Sequence, residues 1–196
     1  MTDALQALLL ELEQFGRAND AATAERPRRM LNITRDTGEF LALLVRATSA
    51  RRLLEIGTSN GYSTLWLALA ASAGDGHVTT VESSAFKRSL AAENFARAGL
   101  ADCITQVDGD AGSLLEKAVA ASFDFVFLDS ERSEYPGWWP QLRRLLRPGG
   151  LLVVDNATSH AAEMAPFIAL VAADPEFTSC TVPVGNGEFM ATRNAR

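Results

Sequence analysis

The first 50 residues carry apolar side chains at every third or fourth position, which is the spacing of amphipathic helices. The first apolar stripe consists of Leu5, Leu8, Leu9, Leu12 and Phe15. The inward-facing positions of a second helix, over residues 36–49, are Phe40, Leu41, Leu44 and Val45. We therefore predict that residues 1–50 form N-terminal helices that precede the main core.

From residue 51 onward, short apolar runs alternate with helical patterns. The predicted strands are residues 53–56, 78–81, 104–107, 123–128 and 151–154. The predicted helices are residues 63–73, 85–98, 113–121, 140–146 and 161–173. Because the strand runs are continuously apolar, we expect a mostly parallel α/β sheet with helices on both faces.

The C-terminal segment has a different pattern. Two further strands, over residues 177–182 and 188–192, are separated by Gly185-Asn186-Gly187, which is typical of a hairpin turn. A chain of 196 residues with 47% hydrophobic and 21% charged residues is large enough for one domain with a full core. We predict a single domain over residues 1–196, with residues 51–196 forming a Rossmann-like core that ends in an antiparallel hairpin.

A glycine loop between the first predicted strand and the next helix is the main candidate for ligand binding. Gly57 and Gly61 allow backbone amides to approach a ligand at the start of a helix. Glu82 ends the second strand, where a carboxylate can accept hydrogen bonds from the two ribose hydroxyls of a nucleoside. The spacing therefore indicates a nucleoside cofactor.

Acidic side chains follow nearly every predicted strand. Those side chains are Glu82, Asp108, Asp110, Asp129 and Asp155. Turn formation and helix capping explain acids at single strand ends, but the whole set favours a cationic ligand or a metal. Together with Gly-x-x-x-Gly in place of Gly-x-Gly-x-x-Gly, the acids favour S-adenosylmethionine over a nicotinamide dinucleotide.

Asp129, Asp155 and Asn156 form a second candidate constellation. Two carboxylates and an amide oxygen are hard ligands suited to Mg²⁺ or Ca²⁺. Such an ion lowers the pKa of a bound hydroxyl. The structural alternative is that Asp155 caps the following helix and Asn156 lies in its turn.

The ordered motifs resemble the S-adenosylmethionine-dependent O-methyltransferases of the catechol and caffeoyl-CoA type over residues 30–193. The matching segments are residues 54–63, 81–83, 109–111, 123–129, 147–150 and 155–156. The resemblance implies a class I methyltransferase fold with a seven-stranded sheet, a small hydroxylated acceptor such as a catechol or phenol, and a homodimer.

The resemblance also assigns site residues. The cofactor residues that it implies are Ile33, Glu55, Gly57, Thr58, Ser63, Glu82, Ser83, Asp110, Ala111 and Asp129. Among them, Ser63 is expected at the methionine carboxylate, and Asp110 and Ala111 beside the adenine. The implied metal ligands are Asp129, Asp155 and Asn156.

The chain departs from the family at the expected catalytic base. The family has a lysine three residues after the first metal aspartate, where this chain has Arg132. A guanidinium stays protonated, so Arg132 cannot accept the substrate proton, although it can stabilise an oxyanion. His160 is the alternative base, because histidine titrates near neutrality, although a lone histidine is more often structural. Asp129, Arg132 and His160 are the catalytic candidates.

Composition narrows the remaining functions. The net charge of −6 and the separation of the short basic clusters argue against nucleic-acid binding. No signal peptide or membrane span is recognisable, and we interpret Cys103 and Cys180 as buried free thiols in a reducing, cytoplasmic compartment. Tyr135, Trp138 and Trp139 are interpreted as core or interface residues, with an aromatic wall for the acceptor as the alternative.

Three other functions stay open at this point: a metal-independent methyltransferase, a non-catalytic S-adenosylmethionine-binding protein and a nicotinamide dehydrogenase.

Overall fold

The structure, a computed structural model, describes residues 1–195 and contains one seven-stranded sheet in the order β3-β2-β1-β4-β5-β7-β6. The strands are β1 (Arg52–Ile56), β2 (His77–Glu82), β3 (Ile104–Asp108), β4 (Phe123–Leu128), β5 (Leu146–Val154), β6 (Phe177–Val182) and β7 (Glu188–Arg193). The first five strands pair in parallel, whereas β7 pairs antiparallel with both β5 and β6. The predicted mostly parallel sheet with a C-terminal antiparallel hairpin is therefore confirmed.

Within the described residues, seven α-helices cover the sheet. They are α1 (Asp3–Ala22), α2 (Arg35–Ala47), α3 (Tyr62–Ser72), α4 (Ala85–Ala98), α5 (Ala111–Lys117), α6 (Tyr135–Leu145) and α7 (Ala161–Ala172). Two hydrophobic clusters form the core, one on each face, and alternate side chains of β4 enter each: Phe125 and Phe127 join one, Val126 and Leu128 the other. This two-sided burial explains the continuously apolar strand runs.

The strand order places the ligand-binding edge. The chain runs outward from β1 through β2 to β3, and then returns to the other side of β1 as β4 and β5. This reversal is a topological switch point, where α/β proteins bind ligands at the carboxyl ends of the strands. Gly57, Glu82, Asp129 and Asp155 follow or end strands at that edge.

Several local predictions were wrong. Phe15, which was predicted to belong to the apolar stripe of α1, is 42% exposed, and the neighbouring Gly16 is buried instead. Helix α6 begins at Tyr135, so that Pro140 lies inside it rather than in its first turn. The fifth strand begins at Leu146 rather than at residue 151, and its register against β4 shifts before residue 151.

The two thiols are also less buried than predicted. Cys103 lies in a 3₁₀ turn and is half-buried, and Cys180 is exposed on β6. Within residues 1–195, no helix is both long and apolar enough to cross a membrane.

Candidate functional site

A cavity of about 700 Å³ lies at the carboxyl ends of β1, β4 and β5. The loop from Gly57 to Ser63 and Glu82 line one side of it. Asp129, Arg132, Asp155 and His160 are among the residues that line the other. An N-terminal segment, residues 26–33, supplies a further wall. The cavity therefore brings the cofactor loop and the predicted metal ligands into one site.

The glycine loop has backbone that other residues would strain. Gly57 has φ +108°, and a Cβ there would lie 2.0 Å from the Asp129 carbonyl oxygen. Gly61 has φ +87°, is the N-cap of α3, and would place a Cβ 2.5 Å from Phe95. These glycines let the loop pass close to β4 and deliver the first amides of α3 to the cavity.

Backbone amides orient the Glu82 carboxylate from two sides. Its Oε2 accepts a hydrogen bond from the Ser59 amide at 3.0 Å, and its Oε1 accepts one from the Ser84 amide at 2.9 Å. The Ser59 hydroxyl donates to the Met30 carbonyl at 2.6 Å, which ties the N-terminal segment to the same loop. Each Glu82 oxygen still has acceptor capacity for a ligand hydroxyl.

Glu55 was predicted to line the cofactor pocket, but it lies beneath the cavity and is fully buried. Hydroxyl groups satisfy its carboxylate: Ser63 donates at 2.6 Å, Thr80 at 2.6 Å, and Thr64 also donates. Burial raises the pKa of Glu55. Glu55 thus supports the floor of the site and orients the Ser63 hydroxyl, which does line the cavity.

Asp129, Asp155 and Asn156 meet at the opposite side. The Asn156 amide nitrogen lies 2.8 Å from Asp155 Oδ2 and 3.4 Å from Asp129 Oδ1, and its backbone amide donates to Asp155 Oδ1 at 2.7 Å. Burial raises the pKa of Asp129 well above its ordinary value, and the Asp155 and Glu55 charges add to this rise. Burial likewise raises the pKa of Asp155. A cation between the two carboxylates would relieve both costs.

The same three side chains provide oxygen donors for a hard divalent ion. The Asn156 amide oxygen accepts a hydrogen bond from Ser159 at 3.1 Å, so a half-turn of the amide would direct this oxygen at the two aspartates instead. Within residues 1–195, no three His, Cys, Asp or Glu side chains are grouped to hold a metal ion. A cation here would therefore have two carboxylates and an amide as protein ligands, with water and acceptor completing its coordination.

Arg132, at the position of the family's base, and His160, the predicted alternative base, both line the cavity. Arg132 is buried, with 7% of its side chain exposed, and its Nε donates to Glu163 Oε2 at 2.7 Å. His160 is half-buried, and its Nδ1 lies 3.0 Å from the Ser159 hydroxyl.

Besides Glu55, three of the predicted cofactor residues do not line the cavity. Ser83 is exposed, and Asp110 caps α5 by accepting from the Ser113 amide at 2.8 Å. Ala111 begins α5 and is buried in the core. Asp110 lines a second cavity of about 530 Å³ between β3 and α5. Ile33, Gly57 and Thr58, by contrast, line the main cavity.

The aromatic residues are structural. Tyr135 and Trp139 are buried in the core, and Trp139 packs edge-on against Phe177 with ring centroids 4.7 Å apart. Trp138 is half-buried and packs against the same core cluster. The interpretation as core residues is confirmed, and none of the three lines the main cavity.

Four functional candidates escaped sequence reasoning. Asp20 accepts hydrogen bonds from the amides of Met30 (2.6 Å) and Leu31 (2.8 Å) and thereby shapes the N-terminal wall. The other three are Arg26, Glu163 and Asn186, which line the cavity from separate elements. Apart from Asn186, which lies in the hairpin-turn motif, their sequence positions carry no motif. The only available signal was that Glu163 lies one helical turn after His160.

Comparison with known proteins agrees with this geometry. The sequence profile of the O-methyltransferase family matches residues 10–194. A catechol O-methyltransferase of Mycobacterium tuberculosis is 40% identical over 139 residues, which cover 71% of this chain and 61% of that protein. A caffeoyl-CoA O-methyltransferase of Eucalyptus gunnii is 29% identical, with 98% of this chain and 88% of that protein covered.

A solved structure is similar over nearly the whole chain. The O-methyltransferase from Bacillus cereus in complex with SAH superposes with a TM-score of 0.81 at 31% identity. The superposition covers 96% of this chain and 91% of that one.

Proposed function

The chain belongs to the S-adenosylmethionine-dependent O-methyltransferase family, and we propose that it methylates a hydroxyl oxygen of a small catechol- or phenol-like molecule with the help of a divalent cation. One observation carries this proposal. A single cavity is lined by the glycine loop and Glu82 on one side and by Asp129, Asp155 and Asn156 on the other. A cofactor and an oxygen acceptor can therefore meet inside it.

The glycine loop and Glu82 form the proposed cofactor side. The first amides of α3, including that of Ser63, would hold the methionine carboxylate, since a helix N-terminus favours anions. The Ser63 hydroxyl itself donates to Glu55. Glu82 would accept the ribose hydroxyls, and Ile33 would cover the methionine end. The adenine contacts with Ser83, Asp110 and Ala111 stay a prediction, because these residues lie outside the main cavity.

The charge of the cavity favours a cationic ligand. Among residues 1–195, six carboxyl side chains line it, against three lysine or arginine side chains. The methyl group that S-adenosylmethionine supplies is carried by a positively charged sulfur. An excess of negative charge in a partly closed space attracts such a group.

Asp129, Asp155 and Asn156 would hold a Mg²⁺ or Ca²⁺ ion. Such an ion, when bound, lowers the pKa of a coordinated hydroxyl and orients it. These three residues would thereby position the acceptor oxygen for in-line attack, which is the main source of acceleration in such a displacement.

Arg132 and His160 would divide the remaining work. Arg132 stays charged and would stabilise the acceptor oxyanion. His160 is the proposed proton acceptor: its Nδ1 is engaged by Ser159, and within residues 1–195 its Nε2 has no hydrogen-bond partner.

A metal-independent reaction of the same kind is the second candidate. It is favoured by the orientation of the Asn156 amide. Its nitrogen, rather than its oxygen, faces the two aspartates and donates hydrogen bonds to them without an ion between them. Turnover of catechol after dialysis against EDTA, and again after addition of Mg²⁺, separates the two. Full activity in EDTA would remove the metal from the proposal.

The cofactor assignment is tested by isothermal titration with S-adenosylmethionine. Glu82→Ala should bind roughly 10- to 100-fold more weakly, because hydrogen bonds to a charged group are lost. Glu116→Ala, which removes an exposed carboxylate on α5, is the matched control. Equal affinity of Glu82→Ala and wild type would show that the Glu82 assignment is wrong. Tight binding without turnover of any phenol would favour a non-catalytic binding protein.

Two further proposals concern the assembly and location of the protein. The family resemblance supports a homodimer, which light scattering in solution would detect. The free thiols of Cys103 and Cys180 support a cytoplasmic location, which fractionation of the source cells would detect.

A further inference from the structure

Arg132 is a buried cation at the acceptor side of the cavity. It lies in a 3₁₀ turn, Arg132–Glu134, which directly follows the loop that carries Asp129. Its positive charge lowers the pKa of Asp129 and of Asp155, against the rise that burial causes. Arg132 lines the same cavity as those two carboxylates.

Only one nitrogen of this guanidinium is engaged by the protein. The Nε group donates to Glu163 Oε2 at 2.7 Å. Among residues 1–195, neither Nη1 nor Nη2 of Arg132 has a hydrogen-bond partner. Because the side chain lines the cavity, these two nitrogens form the part of the fork that a ligand can reach.

The backbone of Glu163 is fixed by helix α7. It lies in the first turn of α7, where its backbone amide donates to the His160 carbonyl at 3.0 Å. A carboxylate in the first turn is favoured by the helix dipole. The Arg132 hydrogen bond lowers the pKa of Glu163, so the carboxylate is ionised and remains paired. Glu163 thus holds Arg132 through its Nε group.

We propose that Glu163 is a positioning residue that holds Arg132 with its two Nη groups directed at the acceptor oxygen. This inference rests on the proposed function, since it assumes an acceptor hydroxyl that becomes negatively charged in this cavity. A planar guanidinium held through Nε presents two parallel donors. Such a fork suits an acceptor with two neighbouring oxygens, as in a vicinal diol.

A purely structural ion pair is the competing explanation. The Glu163 side chain is 54% exposed, and exposed ion pairs contribute little to stability. The two explanations differ in one respect. If Glu163 positions Arg132, removal of Glu163 changes the ionisation of the bound acceptor only while Arg132 is present. A double-mutant cycle measures that dependence.

The probe is 4-nitrocatechol, whose absorbance reports ionisation of its hydroxyl in the bound state and which needs no turnover. We compare wild type, Glu163→Ala, Glu163→Gln, Arg132→Ala and the Arg132→Ala/Glu163→Ala double variant, each saturated with S-adenosylhomocysteine. Glu163→Ala should raise the pKa of the bound probe by about one unit, a tenfold change in its ionisation constant. Glu163→Gln retains an acceptor for Nε and should restore most of the wild-type value.

The Arg132→Ala/Glu163→Ala double variant should show the same pKa of the bound probe as Arg132→Ala alone. Glu39→Ala is the matched control, because the Glu39 side chain is about as exposed as that of Glu163 and pairs with Arg35 at 3.1 Å, away from the cavity. It should leave the probe unchanged. With catechol as acceptor, kcat should fall roughly tenfold in Glu163→Ala, with KM for S-adenosylmethionine unchanged.

An unchanged probe in Glu163→Ala, or an equal shift with and without Arg132, would overturn the inference while the proposed function stands. Failure of the wild-type protein to bind both S-adenosylmethionine and 4-nitrocatechol would overturn the proposed function, and the inference with it.

Discussion

Asp124 joins two neighbouring strands through a single buried carboxylate. Its oxygens accept hydrogen bonds from the backbone amides of Arg51 (2.9 Å) and Arg52 (2.8 Å) and from Arg147 Nε (2.6 Å). Burial by itself raises the pKa of Asp124, but these bonds outweigh it and lower the pKa to about 2. The charged form is therefore stabilised at the end of the sheet opposite to the cavity.

Asp124→Asn should destabilise the protein by about 2 kcal/mol at pH 7. Because the folded pKa lies below the ordinary value, this stabilisation is full above about pH 4 and is lost as the pH falls toward 2. Urea unfolding at pH 7 and pH 3 measures it, with the exposed Asp102→Asn as control. A stability difference between Asp124→Asn and wild type that did not shrink at pH 3 would contradict the assignment.

Glu188 has the opposite behaviour. It is fully buried on β7, where the Thr37 hydroxyl donates to its Oε1 at 3.1 Å. Burial, together with the nearby Asp155 charge, raises the pKa of Glu188 to about 10. The folded protein therefore holds a neutral acid next to the site.

Glu188→Gln should raise the melting temperature at pH 8 by several degrees in EDTA and change it less at pH 5. A raised folded pKa means that stability is full below the ordinary value of 4.5 and falls as the pH rises toward 10. Glutamine keeps the neutral form and removes this loss. A melting temperature of Glu188→Gln that tracked wild type at every pH would show that Glu188 is ionised in the folded state.

The β6–β7 turn holds in place the loop over residues 156–160, which includes the proposed metal ligand Asn156. The Gly187 carbonyl accepts from the Ala157 amide at 2.8 Å, and the Asn186 carbonyl accepts from the Thr158 and Ser159 amides at 3.1 and 3.0 Å. On its other side, the Gly185 amide donates to Asp36 on α2 at 3.1 Å. The hairpin thus connects α2 to the loop between Asp155 and His160.

Gly187→Ala should destabilise the protein by roughly 1–3 kcal/mol and lower the activity together with the stability. Gly187 has φ +88°, and an added Cβ would lie 2.0 Å from Thr158 Oγ1 and 2.7 Å from its backbone nitrogen. Thermal unfolding and catechol turnover measure both effects.

Gly99→Ala separates strain from collision, because Gly99 has φ +67° but nothing within 4 Å of an added Cβ. We expect it to cost about 1 kcal/mol and to leave the activity unchanged. Equal effects of the two substitutions would mean that contact with Thr158 is irrelevant.

At the scale of the whole molecule, the cavity is built from distant parts of the chain. Asp20 at the end of α1, the loop after β1 and Asn186 near the C-terminus all line it. A ligand that fills the cavity therefore binds the folded chain and not the unfolded one, so binding should stabilise the whole fold.

S-adenosylhomocysteine at 100 times its Kd should stabilise the protein by about 2.7 kcal/mol and raise the melting temperature by roughly 5–10 °C. Glu82→Ala at the same ligand concentration should lose most of this shift. Scanning calorimetry measures both. If the ligand left the melting temperature of the wild-type protein unchanged, the assignment of the cavity as the cofactor site would be wrong.

Much of the fold was predictable because the signals lie in contiguous residues. The run of β4 over residues 123–128 and the helix over residues 85–98 match the predicted bounds. Local periodicity and turn chemistry act over a few residues and are therefore readable in sequence. These signals gave the wrong start for α6, because Pro140, which lies inside the helix, was interpreted as its first residue.

The candidate site was predictable where strand ends determine it. Parallel strands bring their carboxyl ends to one edge, so Glu82, Asp129 and Asp155 had to approach one another. Asp110 ends outside the main cavity because its carboxylate caps α5 instead.

The sequence by itself determined the sheet, its hairpin and the acids at its strand ends, because these depend on local spacing and strand direction. Only the tertiary structure decided which side chains meet across the chain. Glu163 reaches Arg132 over 31 residues, and Thr37 reaches Glu188 over 151. Burial then decided which carboxyl groups hold their proton, as it does at Glu55 and Glu188, because desolvation depends on packing from every side.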